Sequence, residues 1–207
     1  MNTLLMTRRW LVAAPCAMSL ASCSLLPDPP TPQMYRLRPT DLDPTDTAVH
    51  RGNLAVETPT APENLDSDRI ALSRGVTQFA YFADCSWTDR VPALLQTLLV
   101  EAFETNGKIA DVWTDPDTMS TGYLLQTQVR AFTARYDDAA DHPPVAEVSL
   151  DLRLVRLPGH ATVGRTLIAA QSPATQNKVN NVVQAFDIAT GDALNRCVAW
   201  TLKVMQG

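Results

Sequence analysis

Within the stretch from Val145 to Leu157 the chain alternates between apolar and polar residues from Ala146 to Leu154. Ala146, Val148, Leu150, Leu152 and Leu154 fall on one side, and Glu147, Ser149, Asp151 and Arg153 on the other. A period of two with charge confined to one side predicts a strand with one wet face, the pattern of a sheet with antiparallel neighbours. The flanking segments supply candidates for those neighbours. Tyr123 to Tyr136 is a long strand candidate, and Arg165 to Ser172 is a return strand after the Leu157-Pro158-Gly159 turn. Upstream, Met34–Pro39, Gly52–Pro59 and Ala110–Pro116 each predict a short strand, and Arg69–Trp87 predicts two strands joined around Arg74-Gly75.

Two stretches follow a different period. Val91, Leu94, Leu95, Leu98, Leu99, Ala102 and Phe103 recur at steps of three and four, which is one face of a helix. Thr88 is placed to cap it, Asp89 and Pro92 suit its first turn, and Asn106-Gly107 supplies a left-handed stop. Asn181 to Met205 predicts a second, longer helix, with Val182, Phe186, Ala189, Ala193, Cys197, Trp200 and Val204 on one face. Gly191 weakens it by roughly 1 kcal/mol relative to alanine. The expected architecture is α+β: a single twisted, mostly antiparallel sheet with two long amphipathic helices packed on one face.

The 207 residues are 45% apolar and 19% charged, ordinary for one globular domain or two small ones. The net charge of −5 and the lack of a Lys/Arg cluster argue against a nucleic-acid partner, because phosphates would be repelled.

The amino terminus has its own logic. Arg8 and Arg9 precede an apolar run from Trp10 to Leu20, followed by Ala21 and Ser22. The run is too short to span a bilayer and matches the layout of a secretory signal peptide. Leu20-Ala21-Ser22-Cys23 resembles the bacterial lipoprotein cleavage box, in which a branched apolar residue and two small ones precede a cysteine. That resemblance implies that Cys23 is diacylated, becomes the mature amino terminus and is acylated again. The other reading is a signal peptide cut elsewhere, with Cys23 free. Each buried methylene contributes about 0.8 kcal/mol, so a multi-chain anchor is effectively permanent. Ser24 after the cysteine resembles cargo sent on to the outer membrane. Ser24 to Met34 holds prolines at 27, 29, 30 and 32 and favours an extended tether reaching roughly 30 Å. The expected organisation is a lipoprotein signal peptide at 1–22, a lipidated cysteine with a Pro-rich tether at 23–34, and a working domain at 35–207. Removing 1–22 takes two arginines from the 17 basic residues and leaves the 22 acids, which moves the net charge from −5 to −7.

Cys85 and Cys197 remain for the body of the protein. In an oxidising compartment two leftover thiols are expected to form a disulfide, closing the 112 positions from 85 to 197. A loop of that length stabilises by about 4–5 kcal/mol in the entropy account. Two buried free cysteines are the alternative. His50, His142 and His160 fall in predicted loops with no second ligand at metal spacing, so no metal site is expected. No nucleophile-elbow, P-loop or dinucleotide motif occurs, so no cofactor is expected. Asp137-Asp138 and Asp115/Asp117 fit solvated loop charge better than paired catalytic acids. Trp87, Trp113 and Trp200 are better placed as core or interface residues than as a ligand cage. The chain is therefore not expected to be an enzyme.

Several stretches together resemble a known family. "MYRL", Met34 to Leu37, resembles the Tyr-Tyr-x-Leu opening of the ABC-type transport auxiliary lipoproteins, the PqiC-like group. The run from Arg69 through Trp87 into "WTDRVPALLQ" resembles their most recognisable block, and "VVQAFDIATGDALNRCVAWTL" fits their last helix. The similarity covers roughly 35–207 and rests on spaced aromatic and apolar residues. Met34 stands where a tyrosine is common, and Cys85 where a charged or small residue is usual, so a Cys85–Cys197 bridge would belong to a subgroup. Tyr35 and Trp87 are the family-pattern positions, with structural roles. The resemblance implies a membrane-tethered docking subunit beside an MCE-domain protein and its ABC permease and ATPase, moving lipids or other hydrophobic compounds. It implies attachment through the amino-terminal lipid, in the periplasm, at the inner leaflet of the outer membrane. Self-association stays open. Two other readings are an outer-membrane assembly lipoprotein that binds or plugs a β-barrel, and a periplasmic hydrolase whose site the sequence does not display.

Overall fold

The structure, a computed structural model, describes residues 32–38, 50–75, 77–114, 122–137 and 142–206. Ten elements run in the order β1 (Gln33–Tyr35), β2 (His50–Val56), β3 (Arg69–Arg74), β4 (Gln78–Trp87), α1 (Val91–Asn106), β5 (Ile109–Trp113), β6 (Gly122–Tyr136), β7 (Val145–Leu157), β8 (Ala161–Pro173) and α2 (Val179–Gln206). The eight strands form one mixed sheet with two helices, an α+β fold.

β6 is the spine. Its 15 residues span about 50 Å. One edge is taken along its whole length by β7 in an antiparallel ladder from Gly122↔Leu157 to Arg135↔Val145. Two strands share the other edge in parallel. β2 takes the start, Leu54 to Val56 against Tyr123 to Leu125, and β3 takes the end, Leu72 to Arg74 against Ala134 to Tyr136. Between them the chain stays on the ladder. The Glu57 N–H donates to the Leu125 carbonyl, the Thr60 N–H to that of Thr127, and the Val129 N–H to that of Thr60. Beyond β2 lies β5; beyond β3 lie β4 and then β1. β8 extends the sheet past β7. The long ladders are antiparallel, as expected, and the four parallel pairings are short.

The period-two pattern of β7 holds along the strand: Ala146, Val148, Leu150, Leu152 and Leu154 are all buried. They meet Leu95, Leu98, Leu99 and Phe103 of α1 and Val182, Phe186, Ala193 and Leu202 of α2 in one core on one side of the sheet. Each large side chain buried there stabilises by roughly 1.5–3 kcal/mol before entropy. Ala55, Leu124 and Val155 form a small cluster apart from that core, with Leu157 packed against it.

Two local expectations are corrected. α1 starts at Val91, and its N-cap is Arg90, not Thr88; no side chain caps it. The reason is that its leading donors are already provided for. The Val91 N–H donates to the Ser67 carbonyl, Pro92 has no N–H, and the Thr88 N–H donates to Tyr35. His50, expected in a loop, opens β2 and pairs with Ile109. That pairing is long-range and leaves no local mark. The predicted stop of α1 is as expected: Gly107 has φ 68°, and its N–H donates to the Phe103 carbonyl at 3.2 Å. The turn expected at Met119–Gly122 falls mostly outside the described residues.

Near its end α2 seats directly on β8. A Cβ on Gly164 would lie 3.0 Å from Val204 Cγ1 and 3.1 Å from Trp200 Cζ2, so this strand position needs a residue without a side chain. Gly164→Val should therefore lower stability by about 1–3 kcal/mol through overpacking, read as a drop in the urea midpoint at unchanged slope.

Candidate functional site

Tyr35 and Trp87 are brought together as register partners of the β1–β4 ladder. They play different parts. Trp87 is 1% exposed and packs edge-on against Phe132 of β6 and Phe186 of α2, at centroid distances of 5.8 and 5.2 Å. Phe132 and Phe186 lie 5.0 Å apart, which closes a triangle of rings across the core. Tyr35 is half-buried and reaches outward along the helix. Its hydroxyl donates to Asn180 Oδ1 at 2.7 Å, with Gln33 Oε1 2.8 Å away. Desolvation, then the nearby Cys85, raises the Tyr35 hydroxyl above its ordinary pKa. Three residues on, the Arg38 N–H donates to Asp187 Oδ1 at 2.7 Å. Burial raises the Asp187 carboxyl, and this hydrogen bond partly offsets the effect. The first strand is thus clipped to the start of α2 at two points. Trp113 is half-exposed at 45% and Trp200 is partly buried against the core, so the three tryptophans do not converge.

Cys85 and Cys197 are not joined: both are free and buried. The clips on α2 explain why. Tyr35, level with Trp87, holds Asn180, and Arg38 holds Asp187, so β1 and β4 run toward the far end of α2 from its beginning. Cys85 lies before Trp87 and is thus level with the start of the helix. Cys197 is eleven residues beyond Phe186, about 16 Å along the axis, whereas a disulfide needs Cα atoms within about 7 Å. Burial pushes both thiols up, that of Cys197 to about 12.

The face of the sheet turned away from the helices is polar. Asp151 of β7 is clasped by Arg130 of β6 and Arg165 of β8, each 2.8 Å from Oδ2. The hydrogen bonds from Arg165 and Arg130 hold its carboxyl far below the usual range. Farther along, Glu147 accepts from Arg135 at 2.7 Å and from Gln171 at 2.8 Å, and Arg135 also meets Asp137. Toward the other end, Gln126 donates to Glu57 at 2.9 Å and Arg153 donates to Thr162 at 2.8 Å. An open cleft of about 370 Å³ lies here, lined by Glu57, Thr60, Gln126, Asp151, Arg153 and Arg165. Asp151 stays ionised at any physiological pH and does not shuttle protons, so this cleft offers fixed charge and hydrogen bonds. The wet face of β7 was legible as Glu147, Ser149, Asp151 and Arg153. The cross-strand partners were not, because they depend on register. Cys23, Asp115, Asp117 and Asp138 lie outside the described residues. His142 and His160 lie in loops, and no group of three metal-ligating side chains occurs among the described residues. Among them no helix is long and apolar enough to cross a membrane.

A mixed sheet backed on one side by two helices, opened by a short strand clipped to the second helix, defines the class as a two-layer α+β body. Solved structures share it. A protein of the DUF330 family from Xanthomonas campestris matches with a TM-score of 0.76 at 25% identity, over 85% of this chain and 97% of that one. A hypothetical protein from Chlamydia trachomatis matches in fold with a TM-score of 0.52 at 7% identity, over 75% and 98%. An uncharacterized protein from Bradyrhizobium diazoefficiens is 28% identical over 169 residues; the chain spans 44% of that relative's length. The chain belongs to the family of ABC-type transport auxiliary lipoprotein components, whose model matches residues 35–198. DUF330 is the same family. The family's description is that of an auxiliary lipoprotein component of ABC-type transport.

Two outcomes test this description. Without reductant, alkylation of the unfolded chain should label both Cys85 and Cys197, and the folded chain neither; mass spectrometry reads the count, and a bridged pair would stay unlabelled. Asp151 is stabilising while ionised in the fold. Its contribution is complete above its unfolded pKa of about 3.9 and is lost as pH falls toward the depressed folded value. Asp151→Asn should cost about 1 kcal/mol at pH 6, the gap from wild type narrowing below about pH 4 in urea titrations.

Proposed function

We propose that the protein is a non-enzymatic docking subunit of an MCE-type ABC transport system that moves lipids or other hydrophobic compounds across the cell envelope. In this reading Cys23 carries the lipid anchor and the Pro-rich residues from there up to β1 form the tether. The body then stands in the periplasm at the inner leaflet of the outer membrane. Its partners are an MCE-domain protein and the associated permease and ATPase; nucleic acid is not one of them.

The observation that carries this reading is how the chain enters the body. A few residues after the Pro-rich stretch, the backbone is held by the β1–β4 ladder, by Tyr35 on Asn180 and by Arg38 on Asp187. A pull on the tether is delivered to the core of the sheet and to α2 at once, which suits a subunit that holds a bridge at a membrane. The paired acids of the open face support recognition over acid–base chemistry.

The experiment is affinity capture of the full chain from membranes in mild detergent. An MCE-domain protein should be recovered with its permease and ATPase. A β-barrel without them would overturn this reading in favour of an outer-membrane assembly role. In parallel, Cys23→Ala should move the protein from the membrane pellet to the soluble fraction, because the acyl chains supply the attachment; a variant that stays in the pellet counts against the lipid anchor.

A further inference from the structure

Three of the open cavities on the described surface carry acids and bases together. The cleft at Asp151 sets Glu57 and Asp151 against Arg153 and Arg165. A groove just after β1 sets Asp89 and Glu101 against Arg36 and Arg38, and another at Tyr81 sets Glu63 and Asp66 against Arg69 and Arg90. A fourth, of about 510 Å³, is different. Arg156, Val163, Trp200, Lys203 and Val204 line it, so its charges are all positive and the rest of its wall is apolar.

Two local features of β8 build this groove. The β7–β8 ladder pairs Leu154 with Gly164 and Val155 with Thr162, so Val163 is the extra residue of a β-bulge, a device that re-aims a side chain. The neighbouring Gly164 has no side chain, which lets Trp200 and Val204 of α2 lie against the strand. Val163, Trp200 and Val204 pack on the main core and stay partly exposed on the groove side. Trp200 stands three and four residues before Lys203 and Val204, so one side of the last turns of α2 forms the wall.

The two cations are exposed at the mouth. Arg156 of β7 lies over the Tyr123 ring, 5.7 Å from its centroid, and Lys203 is in the last turn of α2. Neither makes an ion pair among the described residues. The chain has a net charge of −5, yet it holds no Asp or Glu from Leu152 to Phe186 or from Ala193 to Gly207. The strand ends and helix turns that form the groove thus supply no acid of their own.

We propose that this groove binds one molecule of an anionic lipid, its phosphate between Arg156 and Lys203 and its first methylenes on Val163, Trp200 and Val204. Arg156 offers the planar fork that suits a phosphate, and Lys203 a point charge. A free phosphate would leave the apolar wall wet, and a neutral lipid would leave both cations unpaired. The volume is that of a small-molecule site. The docking role does not require this groove, so either reading can fail without the other.

The test uses the full chain in nonionic detergent micelles that carry a trace of phosphatidylglycerol with a diazirine on its acyl chain. Phosphatidylcholine with the same diazirine is the control. After illumination, peptide mapping by mass spectrometry reads the labelled residues. The expected label falls at Val163 and from Trp200 to Val204, about fivefold stronger from the anionic lipid than from the control. Arg156→Gln with Lys203→Gln should bring it down to the control level. Arg156→Gln alone, at an exposed strand end, should lower it about twofold in a chain that melts as wild type does. Equal labelling by the two lipids overturns the proposal, and so does a label spread evenly over the exposed surface. Inorganic phosphate at the concentration of the probe should change nothing; loss of label to it would make a free anion the ligand and overturn the proposal. A label that appears in phosphatidylglycerol vesicles and not in micelles marks contact with a bilayer, which overturns it too. Lys203 lies at the carbonyl end of α2, where a cation is favourable in any helix. If that were its whole task, Lys203→Gln would lower the melting temperature and leave the label unchanged, and that result overturns the site as drawn.

Discussion

Three rings hold this protein together. Trp87 closes β4, Phe132 sits on the spine strand β6, and Phe186 lies in the first half of α2; their centroids are between 5.0 and 5.8 Å apart. Together they join the hairpin branch of the sheet, its spine and the long helix at one point. The backbone on either side of Trp87 is tied in the same place. The Trp87 N–H donates to the Asp68 carbonyl, the Thr88 N–H to that of Tyr35, and the Val91 N–H to that of Ser67. The entry of α1, the seat of β1 and the turn before β3 are thus set by where one indole ring is buried. Its loss would leave a cavity at a three-way junction, where the surroundings have little freedom to collapse.

From that junction the sheet divides. β6 gives one edge wholly to β7 and splits the other between β2 and β3, so two groups of strands hang from one spine. The helices cover a single side. The other side is left to arginine–carboxylate ladders that run across β6, β7 and β8. Exposed ion pairs of this kind contribute little stability, about 0–1 kcal/mol each. Their effect is to keep a broad sheet face polar and rigid. The docking role proposed above calls for such a body: a dry interior on one side, wet surface on the other, and an amino-terminal strand joined firmly to both the sheet and α2.

Much of this was legible along the chain. The alternation at Val145–Leu157 marked β7 to the residue, the three- and four-residue spacing marked both helices, and Asn106-Gly107 marked the stop of α1. These are local signals, each set by the period of an element that must bury one face. Where a local signal misled, a partner from far along the chain had taken its place. Thr88 did not cap α1 because Ser67 and Tyr35 had already engaged the backbone there. His50 joined a strand because Ile109 pairs with it. Cys85 and Cys197 were counted as a pair by elimination, but counting carries no distance.

The order of residues alone therefore determined which segments are strands and helices, which faces are apolar, and the family to which the Tyr35 and Trp87 patterns point. Period and composition act over a few neighbours, so no fold is needed to read them. The tertiary structure alone decided the division of the β6 edge between β2 and β3 and the pairing of Tyr35 with Trp87. It also decided the clasp of Arg130 and Arg165 on Asp151 and the separation of the two thiols. Each of these depends on register or on the direction of one element across another, and those are settled only when the whole apolar face is buried at once.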